Sequence, residues 1–239
     1  MSDRLSRTRA LLGSDAMEKL KNSHVAVFGV GGVGGYALES LARSGIGRLT
    51  IVDSDIFSVS NINRQIHALH STVGEKKVEV AKKRIHDISP DIEVEAICEF
   101  YCKETQDKFD FNQYDYIVDA IDSLSSKILL IENAKKFAVP IVSSMGTGNK
   151  IHPELLEISD IYKTSVCPLA RRLRAELKKR DIKKLCVVYS KEEPIKPNVQ
   201  INDQAHPSRR GVPASSAFVP ACAGLLLSSV VIRELSEKR

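Results

Sequence analysis

From His24 to Phe28 the chain is a short apolar run that feeds directly into Gly29-Val30-Gly31-Gly32-Val33-Gly34-Gly35. Tyr36, Leu38, Leu41 and Ala42 then recur at helical spacing. That pattern predicts a strand, a tight turn and a helix. Gly45 and Gly47 stop the helix, and Arg48–Val52 reads as a second buried strand ending at Asp53. Ser71 or Thr72 is a candidate cap for a helix with Val78, Ala81, Ile85 and Ile88 on one face and Pro90 at its end. Residues 92–97 return as a strand, and 116–118 form a fourth that terminates at Asp119-Ala-Ile-Asp122. A helix over about 125–137 and a fifth strand at 140–144 complete the run. Strands alternating with helices imply an α/β fold on a doubly wound, mostly parallel, Rossmann-like sheet.

Beyond Gly146 the alternation changes. Residues 155–161 and 185–189 read as strands, 168–180 as a charged helix, and 218–235 as a largely buried helix with Pro220 in its first turn. Between them, 192–213 is a proline-rich, polar stretch expected to be a long loop, with Arg209-Arg210-Gly211 placed to close over a substrate. Residues 1–146 are expected to form the core with an N-terminal arm, and 147–239 a C-terminal elaboration of the same domain that binds substrate. The apolar stretch 218–232 is interrupted by Pro220, Gly224 and two serines and falls short of the roughly 20 residues a bilayer span needs, so no membrane span is expected.

With 239 residues, 43% of them hydrophobic and 27% charged, the chain is long and apolar enough for a packed core, which excludes wholesale disorder. Five cysteines without regular spacing make no disulfide framework, and the start has no apolar signal segment. A reducing, cytoplasmic setting is therefore expected. The net charge is only +5, yet residues 163–196 carry eleven Lys/Arg against four Asp/Glu, so the positive charge is concentrated in one place.

A glycine-rich turn between a strand and a helix lets main-chain N–H groups approach phosphate oxygens, and the helix N-terminus adds partial positive charge. Gly29, Gly31, Gly32 and Gly34 are the candidates. Gly32 and Gly34 are expected to lack side chains because a Cβ would occupy the phosphate's volume. Asp53, at the end of the second strand, is placed to accept hydrogen bonds from a ribose. Taken alone, this much favours NAD or FAD slightly over ATP, because dinucleotide enzymes are the commoner owners of the pattern. Asn61-Ile62-Asn63-Arg64-Gln65 and Lys77 then bring two cations and several amides toward the same phosphates. A departing pyrophosphate needs such donors, whereas a dinucleotide does not. Asp122 is placed to hold a Mg²⁺ on phosphate oxygens, or to cap the helix that follows it.

Taken together, Gly29-Val-Gly-Gly-Val-Gly, Asp53-Ser-Asp55-Ile, Asn61-Ile-Asn63-Arg64-Gln65-Ile, Gly74-Glu-Lys-Lys77 and Asp119-Ala-Ile-Asp122 resemble the ubiquitin-activating-enzyme (E1) superfamily that includes ThiF and MoeB. The resemblance implies a sheet of the E1/MoeB type, with Gly32 on the phosphates and Asp53 on the ribose. It further implies that Asn61, Arg64 and Lys77 hold the triphosphate and Asp122 the magnesium, with Asp55, Asn63 and Gln65 in the same pocket. Arg9 resembles the N-terminal arginine that such enzymes reach across a homodimer interface into the partner's ATP site. By itself that segment is a basic amphipathic arm.

The stretches Asn63-Arg-Gln-Ile-His-Ala-Leu, Cys167-Pro-Leu-Ala-Arg-Arg-Leu-Arg and Ser216-Ala-Phe-Val-Pro-Ala-Cys-Ala-Gly are similar to the tRNA threonylcarbamoyladenosine dehydratase branch. That likeness implies a tRNA substrate, ATP-dependent cyclisation of its threonylcarbamoyl group, and room for sulfur-transfer protein partners. Sulfur-carrier activators carry two CxxC pairs for a structural zinc, and Cys98, Cys102, Cys167, Cys186 and Cys222 never form that spacing, so no zinc is expected. Cys167, before Pro168 at a helix start, is expected to be a structural thiol. His67 and His70 are assigned packing or surface roles. Arg171, Arg172, Arg174, Lys178 and Lys179, with Arg180, Lys183 and Lys184 behind them, form a basic module suited to a polyanion, or otherwise a solvated face. With little aromatic interleaving, backbone and shape recognition of tRNA fits better than base stacking.

Overall fold

In the computed structural model, residues 3–199 and 213–237 are described. Strands β1 (His24–Phe28), β2 (Arg48–Val52), β3 (Glu93–Ile97), β4 (Tyr116–Asp119), β5 (Ile141–Ser144), β6 (Leu156–Asp160) and β7 (Cys186–Ser190) form one sheet in the order β3-β2-β1-β4-β5-β7-β6. Every neighbouring pair is parallel except β6 on β7. The two strands read beyond Gly146 thus extend the sheet of the first half.

Helices cover both faces, as the nearly continuous apolar strands require. They are α1 (Ser6–Leu12), α2 (Ser14–Lys21), α3 (Gly34–Ser44), α4 (Lys77–Ile88), α5 (Leu124–Lys136), α6 (Pro168–Lys179) and α7 (Phe218–Glu237). Strand pleating sends alternate residues to opposite sides. Val25 and Val27 join the core under α3, α4 and α7, and Ala26 and Phe28 join the core under α5 and α6.

Two expectations need correction. Ser71 and Thr72 do not cap α4; they lie in a short 3-10 turn, and the helix begins at Lys77. Before it starts, the chain pairs with the stretch after β2, through Phe57 N–H to Glu75 O, Gly74 N–H to Phe57 O, and a bridge between Ile56 and Lys76. The apolar C-terminal stretch is also longer than the sequence suggests, because α7 continues for 20 residues and is long and apolar enough to cross a bilayer. Packing gives it another role. Val219, Ala223, Leu227, Val230 and Val231 are buried in the core. Gly224 lets α7 press onto the start of α3, where a Cβ would lie 2.3 Å from the Val33 carbonyl oxygen. Residues 200–212, including Arg209 and Arg210, lie outside the described residues.

Candidate nucleotide site

The glycine turn follows β1, Asp53 follows β2, Ala120–Asp122 follow β4 and Gly146–Lys150 follow β5. All four segments therefore leave the carboxyl ends of neighbouring parallel strands, where open α/β sheets bind ligands. The glycines divide by function. A Cβ on Gly34 would fall 1.8 Å from the Gly29 carbonyl oxygen, so Gly34 is required by the turn's own packing rather than by a phosphate. A Cβ on Gly31 would meet only the Gln65 Nε2, at 4.0 Å, so the space over Gly31 is open. On Gly32 it would lie 3.3 Å from the Arg64 carbonyl oxygen, which shows how closely the 61–65 segment lies against the turn.

Asp53 organises this turn from the neighbouring strand. Its Oδ2 accepts the Val30 N–H at 2.6 Å and its Oδ1 the Asp55 N–H at 2.8 Å. Burial raises the pKa of this carboxyl, opposed by the Lys77 charge and the two backbone donors. Lys77, buried in the first turn of α4, donates to Asp55 Oδ2 at 2.8 Å. The ammonium expected on the triphosphate thus rests on a largely exposed carboxylate.

Asn61 shapes the backbone locally, its Oδ1 accepting the Ser58 N–H. Arg64 donates to the Ser60 carbonyl and to Asn63 Oδ1, and burial lowers its pKa. No carboxylate pairs with Arg64 among the described residues. Gln65 is buried, and its Oε1 has no hydrogen-bond partner. The open Gly31 turn, with the donor Nε2 of Gln65 its nearest neighbour, and an arginine with no acidic partner among the described residues fit a bound polyphosphate.

Asp122 lies exposed in the loop after β4, and the cap of α5 is Ser123, not Asp122. A single carboxylate at the carboxyl end of β4 would fit Mg²⁺, which is commonly held by one or two carboxylates together with substrate phosphates. The loop is anchored by a group the sequence does not reveal. Asp119 and Lys127 are both fully buried and paired at 2.7 Å. Ser143 donates to the same Asp119 oxygen at 2.5 Å, and Asp119 Oδ1 accepts the Ile121 N–H. A lysine within a helix gives no sign in sequence that it points inward.

Arg9 is not brought to this site within its own chain. It pairs with Asp3 at 2.9 Å, and Leu5 at the base of α1 packs near Gly45, at the end of α3 opposite the glycine turn. The basic module is also divided. Arg171, Arg172 and Lys178 are exposed on α6. Arg174 turns back and donates to the Thr164 carbonyl at 3.0 Å. Lys179 and Arg180 pair with Glu176, Arg180 also with Glu132. Two further residues escaped sequence reasoning: Lys150, buried and donating to the Glu192 carbonyl at 2.8 Å, and Glu192, whose carboxylate accepts the Ile151 and His152 N–H groups. Burial lowers the Lys150 pKa.

The ThiF family model matches residues 5–238. The chain belongs to the ThiF family. Among its relatives, the tRNA threonylcarbamoyladenosine dehydratase of Bacillus subtilis (strain 168) is 44% identical, over 98% of this chain and 95% of that protein. The crystal structure of the Escherichia coli tRNA N6-threonylcarbamoyladenosine dehydratase, TcdA, in complex with ATP matches with a TM-score of 0.87 at 32% identity, over 97% of this chain and 93% of that one. Its complex with AMP matches equally well. The ThiF-family and dehydratase-branch resemblances read from the motifs thus extend over nearly the whole chain.

Proposed function

We propose that this protein is an ATP-dependent tRNA threonylcarbamoyladenosine dehydratase. One observation carries the reading: the open Gly31 turn, with the Gln65 amide nitrogen nearest it and Arg64 beside it lacking an acidic partner among the described residues, lies at the carboxyl ends of the parallel strands in a chain whose relative was crystallised with ATP and with AMP. A carboxylate is a poor electrophile. Transfer of AMP to the threonyl carboxylate forms a mixed anhydride and releases pyrophosphate. An atom of the carbamoyl arm then attacks the acyl carbon, losing its proton to solvent, and AMP departs with the former carboxylate oxygen. The ring closes with net loss of one water from the nucleoside. Because the second step is intramolecular, positioning replaces a protein nucleophile, and no catalytic cysteine is needed.

In this reading the main-chain N–H groups about Gly31 and Gly32 hold the phosphates, and Asp53 takes the ribose while bracing the turn. Arg64 and Lys77 stabilise the charge that grows on the leaving pyrophosphate, Lys77 exchanging Asp55 for phosphate. Bound at Asp122, Mg²⁺ would neutralise phosphate charge. Arg9 would act from the partner in a homodimer, and the exposed face of α6 would meet the tRNA backbone in the cytoplasm. Adenylation of a ubiquitin-like sulfur carrier is the competing reading within the same superfamily; the missing CxxC pairs weigh against it. The test is mass analysis of nucleosides from threonylcarbamoylated tRNA incubated with protein and Mg-ATP. Loss of one water with stoichiometric AMP is expected. Unchanged nucleosides beside AMP release on a sulfur-carrier C-terminus would overturn the proposal.

A further inference from the structure

Beside the nucleotide site, at the carboxyl end of β5, lies a cleft of about 360 Å³. Its walls include Asn149, Ile151, Ile195, Val199, Ser215 and Ser216. A cleft of this size, apolar with a few polar groups, is typical of small-molecule sites. Its backbone is firmly built. Asn149 sits at φ +59 and exchanges two hydrogen bonds with Ala214, its N–H to the Ala214 carbonyl at 2.7 Å and its Oδ1 from the Ala214 N–H at 2.8 Å. Its carbonyl accepts the Ile195 N–H at 2.8 Å. A non-glycine residue in the left-handed region costs conformational energy and persists only where its surroundings over-determine it. Lys150, itself part of the cleft lining, and Glu192 join the segment after β5 to the end of β7.

Three observations place the cleft between the nucleotide site and the start of α6. First, β5 stands two places from β1 in the sheet, so at about 4.8 Å per strand the floor begins roughly 10 Å from the glycine turn. Second, Asn63 of the phosphate-binding segment donates through Nδ2 to the Ser215 carbonyl at 3.1 Å, so one wall is bonded to the nucleotide site. Third, α6 begins at the other side. Leu169 packs on Gly146, Lys150 lies within electrostatic reach of Cys167, and the Arg171 N–H bonds the Cys167 carbonyl, which sets the exposed Arg171 one turn beyond Cys167.

We propose that this cleft receives the threonylcarbamoyl-bearing adenine base of the tRNA. The apolar walls take the purine and the threonyl methyl, and the carboxylate is directed past Asn63 toward the α-phosphate. The proposal rests on the dehydratase reading and adds where the reacting base sits. It differs from phosphate-backbone docking on α6, which carries no base specificity.

The test fills the cleft from two different lining segments. Ile151 and Val199 are exposed, so Ile151→Trp and Val199→Trp should leave the fold intact. Each is expected to raise the KM for threonylcarbamoylated tRNA, or to lower kcat, by at least about tenfold. Protection of the protein from heating by Mg-ATP should be unchanged, and affinity for tRNA lacking the modification should stay within about twofold, since backbone contacts dominate it. Wild-type turnover by both variants would overturn the cleft assignment and leave the dehydratase reading standing. A wild-type protein that binds Mg-ATP yet removes no water from the tRNA would overturn both.

Discussion

His67 is buried beside Gly35 at the start of α3, and neither ring nitrogen has a hydrogen-bond partner. Burial pushes its pKa from 6.5 down to about 4, with Arg84 adding to the shift and Glu39 opposing it. The folded state therefore holds the ring neutral where the unfolded chain protonates it. For a base with a lowered pKa, the folded state is penalised as pH falls, so stability is lost between about 6.5 and 4, by about 3 kcal/mol across that window. His67→Leu removes both orphaned nitrogens, and we expect it to be at least as stable as wild type at pH 7. Urea denaturation at pH 7, 5.5 and 4.5 should show a shallower acid loss in the variant; parallel losses would mean the ring is hydrogen-bonded in solution.

At the scale of elements, the loop carrying Asp122 depends on what lies beneath it. Lys127→Met leaves the fully buried Asp119 without its cation and should cost about 3–5 kcal/mol. The double variant with Asp119→Asn should recover part of that loss, because no uncompensated charge remains; chemical denaturation of the three proteins measures it. On α6, alanine at Arg171, Arg172 and Lys178 should each reduce the slope of log affinity for tRNA against log salt by up to about 1. Arg174→Ala should instead lower the melting temperature with little change in that slope, since its guanidinium is spent on Thr164. These contrasts also mark what sequence can reveal. Strands and the glycine turn are legible because apolar runs and glycine punctuation are local signals. The candidate nucleotide site can be proposed from sequence because five short motifs fall in a fixed order. The start of α4 is not, because the pairing of Phe57 with Gly74 and Glu75 sets it from outside the helix. The inward turn of Lys127, Lys150 and Arg174 is equally hidden, because charge composition carries no direction.

For the whole molecule, α1 is only thinly supported within one chain. A seven-residue helix is marginal in water unless packing supports it, yet α1 fully buries none of its residues, only Leu12 packing partly on the core, and leaves Leu11 83% exposed. A second copy supplying that support would also bring Arg9 to a site its own chain does not offer it. The two lesions Arg9→Ala and Asp122→Ala then fall on different chains of any one active site. Each variant alone is expected to lose ATP–pyrophosphate exchange in the presence of modified tRNA. When the two are mixed and allowed to exchange subunits, one site of each heterodimer combines an intact Arg9 with an intact Asp122. Random reassortment makes half the dimers heterodimers with half their sites whole, so about a quarter of wild-type exchange should return in an isologous dimer. If Arg9 served its own chain's site, every site would keep one lesion and mixing would restore nothing.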